Sequence, residues 1–473
     1  MFSKRGGGKP MSNAIKQSAA AVAVTLLAVS LTQARVPEEQ AARLEGGDLN
    51  PFGGEVAGNA DGSIPAWEPK WTGVPPGLEY GGPGAPRPNP YADEKPLLVI
   101  TADNYQQHLD NLSEGQAALF DRYPGFELQV YPTHRDFGYQ ERMAKKAAWN
   151  ARHTELTDDG EGLVNYNGGI AFPIPLNDRE VLWNMRTSGC TTTLQVAYDG
   201  YGVFANGERS HDAIRFTQSD PFNNPADPDT GVTEAERGAY AVWTVSERLA
   251  PPRTKGQITV VTDPLNFKKH KRNAWQYDPG TRRVRKAPAI GYDNPDGPGG
   301  MQTIDDHKGF NGAFDRFTYT LLGRKEVYVP FHNFSFNDSR KGKLDDRLSV
   351  NFLNPDYVRF EKRRVWVVEA RLAPGKRHAY KKRRWYVEED SWNPVMSENF
   401  DGRGNLWRVG FFLSDYEYQI SCYEKHTQVF MDLPSGGYLS NFITVDREEA
   451  VHNLPYLDRD YFTPANLRNL AKR

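Results

Sequence analysis

Between about Gly162 and Val445 apolar and polar residues tend to alternate, the two-residue period of a strand with one buried face. The pattern is clearest in Val181 to Thr187, Leu194 to Val203, Tyr240 to Leu249, Gln257 to Thr262, Ala274 to Tyr277 and Glu326 to Phe331. It continues through Val358 to Leu372, Ala379 to Glu389, Leu406 to Ser414, Gln428 to Leu433 and Tyr438 to Val445. Turn residues join these runs where a parallel sheet would need amphipathic helices, so βαβ architecture is excluded. The pattern predicts a mainly β, α+β fold: a large antiparallel sheet that curls into an incompletely closed barrel, with helices packed in or over it.

Ahead of the sheet the period is 3.6. Ala102 to Arg122 sets Tyr105, Leu109, Leu112, Ala117 and Phe120 near one face, with Thr101 as N-cap and Gly115 as a break. Phe137 to Asn150 sets Met143, Ala147 and Ala148 among Arg142, Lys145 and Lys146. Residues 35 to about 96 are too dense in Gly and Pro for long helices or central strands, yet Trp67, Trp71, Tyr80 and Tyr91 are apolar anchors that a free linker lacks. They predict an extended arm lying on the body. Asp263 to Phe317 is mostly irregular, a long loop over one barrel end. Within it, residues 288–310 are read as a gate of low local stability or as a static cover, with Met301, Phe310 and Phe314 seated on the barrel mouth.

Charge and targeting narrow the class. The 473 residues carry 58 Lys+Arg against 60 Asp+Glu, a net charge of −2, which gives no case for a nucleic-acid partner. The first segment holds Lys4, Arg5, Lys9 and Lys16, followed by an apolar run from Ala19 to Leu31 too short to span a bilayer comfortably. Small residues at Thr32 and Ala34 then precede the polar stretch from Arg35, which completes a secretory signal peptide. Translation from Met11 would leave that signal whole. With no Cys directly after the apolar run, the expected product is a periplasmic, non-lipidated protein. The expected organisation is a signal peptide at 1–34, an arm at 35–100, and a helical pair plus antiparallel β-barrel domain at 101–473.

Catalytic spacings are missing. There is no H-E-x-x-H, G-x-S-x-G or Walker loop, and the ten histidines show no i, i+4 or H-x-H spacing. Asp305-Asp306-His307 could ligate a metal, but reads first as a loop triplet. Asp227-Pro228-Asp229-Thr230-Gly231 lacks the remaining acidic positions of a calcium loop and reads as a turn. The basic clusters at 268–272, 282–286, 362–364 and 381–384 read first as solvated strand faces, and second as contacts for anionic lipid heads or an acidic partner. No enzyme activity, cofactor or metal is expected.

Heavy aromatic content without catalysis points to a carrier. Apolar strand faces nominate Trp183, Met185, Trp243, Val327, Val329, Trp366, Val368, Trp407, Phe411 and Phe442 as the lining of a cavity for a lipid or other hydrophobic compound. The alternatives are a solid-cored structural or adaptor subunit of an envelope complex and an enzyme with an unrecognised site. Cys190 and Cys422 either form a disulfide, which an oxidising compartment permits, or remain two separate buried thiols.

Several strings resemble one family. They are Trp275-Gln276-Tyr277-Asp278-Pro279-Gly280-Thr281 with Arg282 through Pro288; Ala57 through Trp67; Asp306-His307-Lys308-Gly309-Phe310-Asn311-Gly312; Arg364 through Ala370; and Gly404-Asn405-Leu406-Trp407-Arg408. Together they resemble the Gram-negative family known as domain of unknown function 1329; Asn50-Pro51 stands where that family usually has Thr-Pro. The resemblance implies a fold similar to the LolA/LolB-like outer-membrane lipoprotein-sorting proteins, an unclosed barrel around helices with an apolar cavity. It also implies association with a resistance-nodulation-division type exporter and an outer-membrane protein. No catalytic residue carries over. Asp278-Pro279-Gly280-Thr281 has the Pro and Gly placement of a type II turn, which would make the signature a hairpin.

Overall fold

The computed structural model describes residues 35–224, 240–287, 291–452 and 455–472. The export segment, the Asp227–Gly231 turn and residues 288–290 lie outside them. The early strands are β1 Leu98–Ile100, β2 Leu128–Val130, β3 Glu155–Leu156 and β4 Leu163–Val164. Then come β5 Thr193–Val203, β6 Arg209–Ser219, β7 Tyr240–Ala250, β8 Ile258–Pro264, β9 Asn273–Asp278 and β10 Arg283–Lys286. After β11 Pro295–Asp296 and β12 Gln302–Thr303 follow β13 Phe317–Pro330, β14 Arg359–Leu372, β15 Lys382–Glu388 and β16 Pro394–Phe400. The last are β17 Leu406–Glu417, β18 Cys422–Asp432, β19 Gly437–Ile443 and β20 Val451–His452. The helices that position the site are α1 Glu38–Ala41, α2 Glu114–Arg122, α3 Glu141–His153 and α4 Asp178–Thr187.

Sixteen strands form one sheet in the order β1-β2-β14-β15-β16-β17-β18-β19-β5-β6-β7-β8-β9-β10, with β13 on the far side of β14 and β20 on β5. Every ladder is antiparallel except the short β2–β14 contact. No ladder joins β10 to β1 or β13, so the sheet does not close. It does curl, because Phe331, just past β13, bridges to Ser414 of β17 although three strands separate them in the ladder.

Strand register divides the sheet into two faces. Val368 stands across from Trp385, Trp385 from Ser397, and Ser397 from Gly410, which defines a front face. One residue along, Val367, Tyr386, Met396 and Phe411 define the back. Helix α2 packs on the back: Ser113 caps it, and Gly115 N–H donates to Glu398 Oε1 at 2.6 Å. Gln116 and Asn111 donate to the carbonyls of Tyr328 and Glu326, occupying acceptors along β13. The front is covered by α4 and by residues 291–316. That segment lies flush because Gly202 has no side chain; a Cβ there would sit 2.5 Å from Pro298 O.

Several expectations need correction. Val181 to Thr187 is not a strand but the body of α4, started by Asn177 accepting from the Glu180 N–H. The segment 102–122 is two pieces, a 3₁₀ turn at Tyr105–Asn111 and α2, and the break falls at Ser113 instead of Gly115. Strands β6 and β16 were not anticipated. The β9–β10 hairpin forms, but its left-handed residue is Arg282 at φ 56°, so the turn is not type II. Cys190 and Cys422 are joined in a disulfide.

Candidate functional site

The interior is unusually charged, and most of that charge is neutralised in place. Arg383 on the front face donates to Asp305 at 2.7 Å and to Asp306 at 2.6 Å. Burial alone would raise the Asp305 pKa, yet Arg383 and His378 hold it below the usual carboxylate range. Tyr380 OH donates to Asp306 and accepts from Arg408, which also reaches Asp432. Arg363 donates to Glu388 and Asp390, and Arg364 to Glu389. The clusters at 362–364 and 381–384 are therefore largely interior counter-charges, not solvated faces: Arg363 is 1% and Arg383 0% exposed. The 282–286 cluster on β10 is mostly exposed as expected. The Asp305-Asp306 carboxylates are committed to Arg383, and among the described residues no His/Cys/Asp/Glu group is arranged to hold a metal.

These contacts bear on the segment read as gate or cover. The backbone N–H of Thr303 donates to Asp306, Trp385 Nε1 donates to Gly309 O, and Phe310 and Phe314 are buried. Residues 301–314 are thus held against β15 by Arg383 and Trp385.

The ten nominated lining residues do not share one wall. Val327, Val329 and Phe411 lie on the back face with α2, whereas Trp366 and Val368 lie on the front. Trp183 and Met185 project from α4 and are buried. Trp243 belongs to a separate core with Phe462 and Leu467. Trp407 is half-buried and donates to Asp432, and half-buried Phe442 stacks on Tyr198 at 4.1 Å.

A different surface remains open. On the front of β5 to β8, Val196 pairs with Phe216, Leu194 with Gln218, and Thr244 with Val261. Leu194, Val196, Ile214, Phe216, Val242 and Val261 are only half-buried and join none of the apolar cores, unlike the residues around them. Along this face stand Lys308, Lys425 and Arg186. Lys308 Nζ lies 5.4 Å from the Phe216 ring and donates to Gln218 Oε1 at 2.6 Å. Lys425 Nζ donates to Ser188 Oγ at 3.1 Å and to Asn393 Oδ1 at 3.5 Å. Arg186 donates to Gly312 O among the rings of Trp183, Phe267, Phe310 and Phe314, and its Nη1 makes no hydrogen bond.

All three cations are half-buried. Burial pushes Lys308 below its ordinary pKa, Lys425 down to about 8 and Arg186 down to about 10. Asp263, ion-paired with Arg272, lies near enough to attract both Arg186 and Lys308. Sequence reasoning found the β5 alternation but not these cations, which come from separate segments and share no motif.

Solved structures to which the chain is similar include a putative outer membrane lipoprotein-sorting protein domain from Vibrio parahaemolyticus, 13% identical, TM-score 0.40, covering 61% of this chain and 97% of that one. A DUF1329 family protein from Desulfovibrio piger is 10% identical at TM-score 0.41, covering 61% and 96%. A LolA superfamily protein from Nitrosomonas europaea is 11% identical at TM-score 0.34, covering 61% and 98%. An uncharacterized protein of Pseudomonas aeruginosa is 37% identical over 462 residues, 96% of this chain and 97% of its own. The model of the protein of unknown function family DUF1329 matches residues 99–468, and with that coverage the chain belongs to the DUF1329 family.

Proposed function

We propose that the chain is an exported, non-enzymatic carrier or chaperone for a lipid or other hydrophobic compound. The signal-like segment 1–34 delivers it to the periplasm, where it works without lipidation and hands its cargo to an envelope exporter or an outer-membrane protein. Residues 35–100 act as a fixed arm on the body at 101–473. The observation that carries the reading is the half-buried apolar face of β5 to β8, left outside the surrounding cores. Six such side chains leave apolar surface that a hydrocarbon ligand would remove from water, at about 25 cal/mol per Å².

Two measurements test this. Mass spectrometry of organic extracts from protein purified from its native periplasm should return a hydrophobic compound in stoichiometric amount. An uncharged solvatochromic dye should bind, and Phe216→Glu or Val261→Glu should abolish that binding while secretion continues. An empty extract with no dye binding would leave the chain as a structural adaptor of an envelope complex.

A further inference from the structure

The open apolar face carries information about the head of its cargo as well as the tail. Elsewhere in the interior several deep arginines meet carboxylates directly: Arg87 meets Asp415 and Glu417, Arg135 meets Asp390, Arg363 meets Glu388, and Arg383 meets Asp305, while Arg347 is held by the carbonyls of Phe336, Lys343 and Asp338. Lys308 and Lys425 instead bond only neutral oxygens, of Gln218 and of Ser188 and Asn393. A desolvated ammonium held by neutral partners retains attraction for an anion that an ion-paired one has spent. Around this point Arg186, Arg272, Lys308 and Lys425 face Asp220, Asp263, Glu424 and Glu161, so the charges balance in number and what sets Lys308 and Lys425 apart is that, among the described residues, neither forms an ion pair. Lys308 lies over Phe216, which pairs with Val196, and Val261 stands on the same face in the adjacent row through Thr244 and Gln218.

We infer that the cargo is a single-chain amphiphile with an anionic head, a carboxylate or a phosphate monoester, seated between Lys308 and Lys425 with its chain on the β5–β8 face. The inference rests on the carrier reading and narrows it. Glu424, whose Oε1 makes no hydrogen bond, attracts both lysines without an ion pair to either among the described residues, so an anionic head competes with it for them.

The test compares a long-chain fatty acid, its methyl ester and a monoacyl phosphate of equal chain length on the full exported protein. At least one anion should bind about tenfold or more tightly than the ester, the effect of one charge-assisted hydrogen bond in a desolvated site. Which anion binds tighter distinguishes the two heads. Lys308→Gln and Lys425→Gln should each bring anion and ester toward parity, with ester affinity unchanged; Lys308→Arg should keep the preference. Equal binding of all three by the unaltered protein would overturn the anionic head and leave the carrier intact. A preference undiminished in both Gln variants would overturn the assignment to these lysines. Binding of none of the three would overturn the carrier reading with it.

Discussion

Replacing Lys425 by methionine should stabilise the protein at neutral pH. The Lys425 pKa is pushed down to about 8, chiefly by burial and further by Lys308, against a smaller opposing pull from Glu424. A lysine whose folded-state pKa lies below its unfolded value makes the native state bind fewer protons than the unfolded one. Stability then rises with pH across the window from about 8 to 10.5, and below about 8 the penalty is fully present. That displacement corresponds to roughly 3 kcal/mol. Methionine also gives up the bonds to Ser188 and Asn393, although Ser188 Oγ still donates to Asn393 Oδ1 at 3.0 Å. Allowing about 1 kcal/mol for those bonds and for the surface the ammonium keeps, the net gain at pH 7 is about 1 to 2 kcal/mol. Urea denaturation of both proteins at pH 7 and pH 10 measures it. The gain should shrink at the higher pH, where the wild-type lysine is mostly neutral. A variant less stable than wild type at pH 7, or a gain identical at both pH values, would refute the desolvated ammonium.

Arg383→Met leaves Asp305 and Asp306 buried without their partner and should cost about 3 to 5 kcal/mol, whereas Arg283→Ala on the exposed edge of β10 should stay within about 0.5 kcal/mol; equal effects in thermal melts would contradict the assignment. Because the Cys190–Cys422 bridge closes a sequence separation of 232, reduction should lower stability by up to about 5 kcal/mol in the chain-entropy model. Thiol labelling in denaturant without reductant should find no reactive cysteine, and two labels per chain would exclude the bridge. In hydrogen exchange on ligand-free protein, the amides of Thr303 and Gly309 to Phe314 should be protected on the timescale of the sheet, and rapid exchange there would restore the gate.

The strand regions and their antiparallel joining were legible because most strands alternate, but the faces were not. Val365 to Leu372 and Leu406 to Ser414 each show a clean apolar stripe, and pairing those stripes as one wall placed Val368 with Phe411. Between them in the sheet stand β15 and β16, and β16 buries Ser397, Glu398 and Asn399 among its apolar residues. A strand buried on both faces shows no alternation, so the link that fixes relative parity was invisible. Helix α4 failed for the opposite reason. Val181, Trp183 and Met185 alternate like a strand, while Val181, Leu182 and Met185 also fit a helical face; the Asn177-to-Glu180 spacing was the deciding signal.

Several of the strings singled out in the sequence fall on electrostatic joints. Within Ala57 to Trp67, the Pro65 carbonyl receives Arg135 and the Ala57 carbonyl receives Arg364, while Asp61 meets Lys362. Asp306 answers Arg383, and Arg408 answers Asp432. The Ala57, Asp61 and Asp306 joints fasten segments without regular structure to the sheet, the arm to β14 and residues 291–316 to β15, whereas Arg408 and Asp432 tie β17 to β18. Segments this rich in Gly and Pro have few ladder hydrogen bonds to hold them, so fixed charges and carbonyls supply the registration that strand pairing supplies elsewhere. The apolar face of β5 to β8, Val196, Ile214, Phe216, Val242 and Val261, lies outside all of these strings, and Lys425 does too; Lys308 alone is shared. Exchanging residues of that face for others of similar volume, such as Val196→Ile with Val261→Ala, should change which chain length binds best while leaving the melting temperature within a few degrees.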